Sequence, residues 1–272
     1  MDNAFVACSI PLVYSTCPRY RPLSKGFFFF WKRFFPAHSG PIYTTDSKVC
    51  IDIADRLVWR LPDKYENKSF STRLLKTICA MNEEFILFAL DDFWLNKPVN
   101  ISLLQKAYAC IRNDSSIAFI NLNEASAEVS GCGCSSFSLV AKKDLYRVST
   151  QIGIWRVSCL RRVLRVGESA WAFEHYGTER SSFMRCHYLR LAPHEQPAFS
   201  YPTGGVLCRG AIRPTKEVMA QIEQLGIQEI RVFDYVPLPA KKLSRLLRLW
   251  RAIYRTFYRA VSPFLPIPYL LR

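Results

Sequence analysis

From Phe85 to Leu90 the chain reads Phe-Ile-Leu-Phe-Ala-Leu without one polar residue, and two aspartates follow at once. A strand with one face in water alternates apolar and polar side chains. A run without alternation suits a strand buried on both faces, as in a parallel sheet covered by helices. The flanking segments agree. AFVACSIPLVYSTC is apolar and β-rich, and predicts a first buried strand running to Ser15 or Thr16 before Pro18 breaks it. Residues 23–35 have helical length, with Phe27, Phe30, Trp31 and Phe34 on one face and Pro36 as the stop. PIYTTDS and RLVWRLP predict further strands. SFSTRLLKTICAMNEE predicts a helix capped by Ser69 or Ser71, residues 102–112 another helix, and SIAFINL a strand. Such alternation predicts an α/β domain with a mostly parallel sheet. The Phe-rich helix then packs its apolar face on that sheet.

The second half is less regular. QIGIWRVSCLRRVLRVGESAWAFEHYGTERSS mixes a strand end, a short helix, a glycine turn and a second helix. FMRCHYLRL and GGVLCRGA predict strands, and RPTKEVMAQIEQLGI a helix with Pro214 near its first turn and Gly226 past its end. VPLPAKKL reads as a linker. The organisation is a domain over residues 1–235 and a tail over residues 236–272.

Half the residues are hydrophobic, which supplies a sizeable core and excludes wholesale disorder. The formal charge of +15 is uneven: residues 241–272 hold eight Lys or Arg and no acid, just over half of the excess. No apolar run reaches the roughly 18 to 20 residues that span a bilayer. The start, MDNAFVACSIPLVY, lacks the basic region of a secretory signal, so the ten cysteines read as reduced thiols of a cytosolic protein. Cys132 and Cys134 in GCGCS read as thiols of a Gly-rich loop rather than half of a zinc site.

Two constellations carry chemistry. Asp91 and Asp92 close the buried strand, where open α/β sheets bind ligands. Two adjacent acids are costly to desolvate together, and a divalent cation shared with phosphate oxygens offsets that cost. The second is GESAWAFEHYGTERS. Trp171 stands three residues from both Glu168 and Glu174, and an aromatic wall beside a carboxylate suits a sugar: the ring covers C–H faces and the acid takes a hydroxyl proton.

Taken in order, these segments resemble the bacterial GT-A-type glycosyltransferases of surface-polysaccharide (capsule or lipopolysaccharide) biosynthesis, over roughly residues 8 to 230. YSTCPRY resembles the first-strand nucleotide loop, with Pro18 where an acid is common. FILFALDDFW resembles the metal and nucleotide-sugar motif, with Asp91-Asp92 in place of a fuller D-x-D. The closest match is QIGIWRVSCLRRVLRVGESAWAFEHYGTERS, to the acceptor-side segment that carries the base. GGVLCRGAI resembles the closing strand. The resemblance implies a GT-A-like, Rossmann-like fold and transfer of a sugar from a nucleotide-diphospho-sugar to a saccharide hydroxyl. Thr16, Arg73, Asp91 and Asp92 would bind the donor. Asp92 and Asp91 would hold Mg2+ or Mn2+, with His187 or His194 as a further ligand. Either Glu168 or Glu174 would be the base of an inverting attack, and Trp155, Trp171 and Arg180 would shape the acceptor side.

In the tail, Arg248, Arg251, Arg255 and Arg259 form one helical stripe and Leu246, Leu249, Trp250, Ile253, Phe257 and Val261 lie mostly elsewhere. This is the pattern of an interfacial helix on an anionic membrane, ended by Pro263, Pro266 and Pro268. It suits a cytoplasmic enzyme held on the inner face of the cell membrane, where a lipid-linked acceptor lies. Two other classes fit parts of the sequence. One is a membrane-associated scaffold with a degenerate transferase fold. The other, a nucleic-acid-binding protein, is opposed by charge confined to a tail and by the absence of a recognition motif.

Overall fold

The computed structural model describes residues 3–51, 56–125, 134–208 and 210–226. The tail, its linker and Cys132 lie outside them, as does the expected boundary at residue 235. The chain begins with a short helix, α1 (Asn3–Cys8), where the sequence predicts the start of a strand. Strand β1 is confined to Leu12–Ser15. Then come α2 (Leu23–Phe34), β2 (Ile42–Thr44), β3 (Val58–Arg60), α3 (Phe70–Cys79) and β4 (Phe85–Leu90). Next are α4 (Ile101–Asn113), β5 (Ile117–Ala125), β6 (Phe137–Leu139), β7 (Gly153–Arg156) and α5 (Val157–Val163). The described part closes with α6 (Ala170–Ser182), β8 (His187–Leu191), a hairpin of β9 (Leu207–Cys208) and β10 (Ala211–Ile212), and α7 (Lys216–Leu225).

Eight strands form one sheet in the order β3-β2-β1-β4-β7-β5-β8-β6. β3, β2, β1 and β4 run parallel, β5 and β8 run parallel to each other, and β7 and β6 are antiparallel to their neighbours. The result is the α/β, Rossmann-like, mostly parallel sheet flanked by helices that the sequence predicts. β4 is central, and its lack of alternation has a direct cause. Phe85, Leu87 and Ala89 enter the core under α2 and α4, while Ile86 and Phe88 enter the core under α3, α5 and α6.

Local chemistry places the helix starts. Ser69 accepts from the Thr72 amide, Asn100 from Leu103, Ser169 from Ala172 and Thr215 from Val218, so each first turn has a donor satisfied by a side-chain oxygen. Gly226, in a left-handed conformation, ends α7. In α2, Phe27, Phe28, Phe30 and Trp31 are buried and Phe29 is exposed, so the aromatic stretch is chiefly core. Gly26 is the close-approach point of that helix: a Cβ there would collide with the Trp94 indole. Trp94 in turn donates its Nε1–H to the Asp91 carbonyl at 3.1 Å. The aromatic helix thus braces the backbone of the first acid.

Candidate active site

β1 pairs with β2 on one side and β4 on the other, so the crossovers leave a crevice at the C-terminal ends of these strands. A cleft of about 1130 Å³ opens there. Its floor is Thr16 and Cys17 after β1, Asp91 and Asp92 after β4, and Glu124 from the end of β5. Because β7 runs antiparallel, the residues before it, Ser149, Thr150 and Gln151, reach the same edge. The N-terminal ends of α3 and α6 contribute Ser69, Phe70, Arg73, Ser169, Trp171 and, one turn further along, Glu174, and the β9–β10 region contributes Gly204, Leu207, Gly210 and Arg213.

The acid pair is built into the backbone. The Asp91 amide donates to the Ser15 carbonyl at 3.1 Å, and its Oδ2 accepts from the Thr16 hydroxyl at 2.6 Å. Burial raises the Asp91 pKa well above the carboxylate range, the Asp92 charge raises it further, and the Thr16 hydroxyl opposes the shift. Asp92 is pushed up to about 7 by burial, against amide hydrogen bonds and the Arg213 charge. The turn at Gly204 and Gly205 covers Asp92. Both glycines have positive φ, and a Cβ on Gly205 would strike the Asp92 carboxylate. Arg213 pins that turn by donating to the carbonyls of Gly204, Gly205 and Leu207. Arg73, almost fully buried, donates Nη1 to the Lys68 carbonyl at 2.7 Å while its Nε has no protein acceptor.

Across the cleft, Glu174 Oε1 accepts from the Thr150 amide at 2.7 Å and the Thr150 hydroxyl at 2.8 Å. Burial raises its pKa, Thr150 opposes the rise and the Glu124 charge adds to it. Trp171, one turn earlier on α6, is 75% exposed. A half-buried carboxylate held on one oxygen beside an open indole can take a proton from a hydroxyl laid against the ring.

Three residues expected in the site lie elsewhere. Glu168 and Arg180 are buried in each other: Nη1 and Nη2 of Arg180 meet the two carboxylate oxygens at 2.8 Å each, and Nε donates to the Val163 carbonyl. The Glu168 backbone also exchanges hydrogen bonds with Ser71, its amide donating to the Ser71 hydroxyl at 2.8 Å. The ion pair ties the segment before α6 to that helix's last turn, the Glu168 backbone ties it to the first turn of α3, and neither residue lines the cleft. Trp155, at the centre of β7, is buried and stacks on Phe119 with ring centroids 4.2 Å apart. His187 and His194 are likewise absent from the cleft; His187 begins β8 at the opposite edge, against Ser116.

Sequence reading missed Thr150, Glu124, Arg213 and Gly205. Only the paired glycines gave a signal, since Gly-Gly before a strand marks a turn with positive φ. Among the described residues no three His, Cys, Asp or Glu side chains converge on a metal position. The two aspartates are an all-oxygen donor pair whose ionisation burial opposes, which fits a hard cation that takes its other ligands from phosphate and water.

No protein-family model and no curated protein matches this chain. Solved structures similar to it include S. aureus TarS 1-349, at 13% identity and a TM-score of 0.49, over 97% of this chain and 82% of that one. The same protein in complex with UDP aligns at 14% identity and a TM-score of 0.47, over 71% of this chain and 60% of that one. Mannosyltransferase PcManGT from Pyrobaculum calidifontis, in complex with GDP-Man and Mn2+, aligns at 10% identity and a TM-score of 0.43, over 68% and 54%. The chain therefore spans less than two thirds of the length of the UDP-bound TarS chain. Likenesses of this depth assign no ligand or reaction to it.

Proposed function

We propose that this chain is a nucleotide-sugar-dependent glycosyltransferase of surface-polysaccharide synthesis, moving a sugar onto a hydroxyl of a saccharide acceptor carried on a lipid. The observation that carries the reading is one cleft with an acid pair at a strand end, Asp91 buried and Asp92 half-buried, and, across it, a threonine-held glutamate beside an exposed tryptophan. The donor lies over the strand ends. Asp92 and Asp91 would hold Mg2+ or Mn2+, which when bound would supply charge stabilisation for a departing nucleoside diphosphate. Arg73, whose Nε faces no protein acceptor, adds a second positive charge. Glu174 takes the proton of the acceptor hydroxyl, which attacks the anomeric carbon from the face opposite the leaving group and inverts it. Burial raises the Glu174 pKa, which makes its carboxylate a stronger proton acceptor than a solvated glutamate. Among the described residues no helix is long and apolar enough to cross a membrane. In this reading the basic tail holds the enzyme to the anionic inner face of the cell membrane from the cytoplasmic side.

A thermal-shift screen of nucleoside diphosphates and nucleotide-sugars, with and without Mn2+, tests this. At least one should raise the melting temperature, more with Mn2+ than without, because a ligand of the folded state stabilises it by mass action. Absence of any shift in wild type sinks the reading.

A further inference from the structure

Among the described residues, Tyr146 is the one non-glycine residue with a left-handed backbone, at φ 56°. That conformation crowds Cβ against the carbonyl and is uncommon for a bulky side chain. Burial does not offset the cost, since Tyr146 is 49% exposed and its ring lines the cleft. The backbone is held from both sides instead. Arg190 of β8 donates to the carbonyls of Leu145 at 2.7 Å and Tyr146 at 3.1 Å. The next residue, Arg147, is buried, donates to the Val140 and Cys186 carbonyls at 2.7 Å each, and lies over the Tyr188 ring. The Val148 amide donates to the Thr178 hydroxyl of α6 at 3.1 Å. A strained residue persists where its surroundings over-determine it, and such residues gather at ligand sites.

We propose that Tyr146 and Trp171 form a rigid aromatic platform for a pyranose ring of the saccharide acceptor, beside Glu174. The proposal rests on the transferase reading for the acceptor's role, but the binding chemistry stands on the site itself. Two large exposed aromatics line one cleft, each on a fixed element: Tyr146 on a loop pinned by Arg190 and Arg147, Trp171 on a helix capped by Ser169. Ser149, Thr150 and Glu124 line the same cleft. Apolar ring faces bordered by hydroxyl and carboxylate groups match a sugar, whose C–H faces are apolar and whose rim is hydroxyl. An apolar partner would desolvate those polar groups without returning hydrogen bonds, which a sugar's hydroxyls can supply.

The test uses full-length protein labelled with fluorotryptophan, with Trp171→Phe to assign the Trp171 resonance. The probes are methyl pyranosides and disaccharides at millimolar concentration. At least one should shift the Trp171 resonance in wild type. Tyr146→Phe should keep that affinity, and Tyr146→Ala should weaken it about tenfold. Tyr146→Gly accepts the positive φ, so it should lose sugar affinity without losing melting temperature, separating the ring from the fold. Thermal shift by nucleoside diphosphate with Mn2+ should be unchanged in all three. The platform is overturned if no sugar moves the Trp171 resonance, or if Tyr146→Gly binds sugar as wild type does. It is also overturned if the variants lose nucleotide rather than sugar affinity. Sugar binding with no nucleotide binding in wild type would instead remove the transferase reading and leave the platform standing.

Discussion

Glu168 and Glu174 are six positions apart on the same stretch, and Trp171 stands three residues from each. Periodicity could not separate them, because apolar and polar residues are spread around α6. What separates them is tertiary: Arg180 reaches one and Thr150 the other, from residues 12 and 24 positions away. The two glutamine variants should therefore fail differently. Glu174→Gln should fold normally, keep donor binding and lose roughly 10²-fold or more in turnover. Glu168→Gln leaves the Arg180 charge buried without its counter-ion, so it should lose about 3–5 kcal/mol in chemical denaturation. A fully stable, inactive Glu168 variant would return the base to that residue. Asp92 makes a pH prediction. Its pKa in the folded protein lies above the ordinary carboxylate value, so the folded state binds its proton more tightly than the unfolded state does. Stability from this group is greatest at low pH and is lost as pH rises from about 4 to about 7. Asp92→Asn should flatten that fall, melt higher than wild type at pH 8, and be inactive. A pH–stability curve parallel to wild type would remove the shifted acid.

At the scale of elements, the sequence was informative wherever burial on both faces or a cap left a mark. The β4 run, a helix capped by Ser69 or Ser71 and the aromatic face of α2 all follow from period and punctuation alone, and the structure selects Ser69 as the cap. The first segment was not legible in this way: a short apolar run fits a buried helix turn as well as a strand, and the helix at Asn3–Cys8 packs on α4, which no local pattern announces. Nor did the sequence reveal what α2 does for the site. Phe30→Asp puts a charge among Phe34, Trp94 and the rest of the core, and should abolish cooperative unfolding. Gly26→Leu is the more specific test. It drives the α2 backbone away from Trp94, and overpacking of this kind costs about 1–3 kcal/mol. Because Trp94 holds the Asp91 carbonyl, Gly26→Leu should also weaken nucleotide binding measured with Mn2+, although Gly26 does not line the cleft. Unchanged nucleotide affinity in a destabilised variant would show that the acid pair does not depend on this brace.

Over the whole molecule the charge divides unevenly, and the division sets the last prediction. Residues 241–272 add eight positive charges and no negative ones, so all 22 acids lie in residues 1–240, some of them in the cleft and some in pairs such as Glu168 with Arg180. Both aromatic-rich basic segments, residues 25–36 and the tail, offer ring faces and cations, but the first is consumed by packing. With Phe27, Phe30 and Trp31 buried, only Phe29 among its large apolar side chains is exposed, too little apolar surface to anchor a protein of this size. In the proposed reading, attachment to anionic lipid would come from the tail, where apolar insertion would add to about 1 kcal/mol for each basic residue near the surface. Deleting residues 241–272 should leave a domain with unchanged nucleotide-dependent thermal shift, since every residue proposed to bind the donor precedes the deletion. The full chain should co-sediment with phosphatidylserine vesicles and should be partly released by high salt, which screens the charge but leaves the apolar insertion. The truncated domain should stay in the supernatant at either salt concentration. Equal sedimentation of the two proteins would mean that the tail docks on its own domain, and the membrane assignment would fall with the nucleotide-binding site untouched.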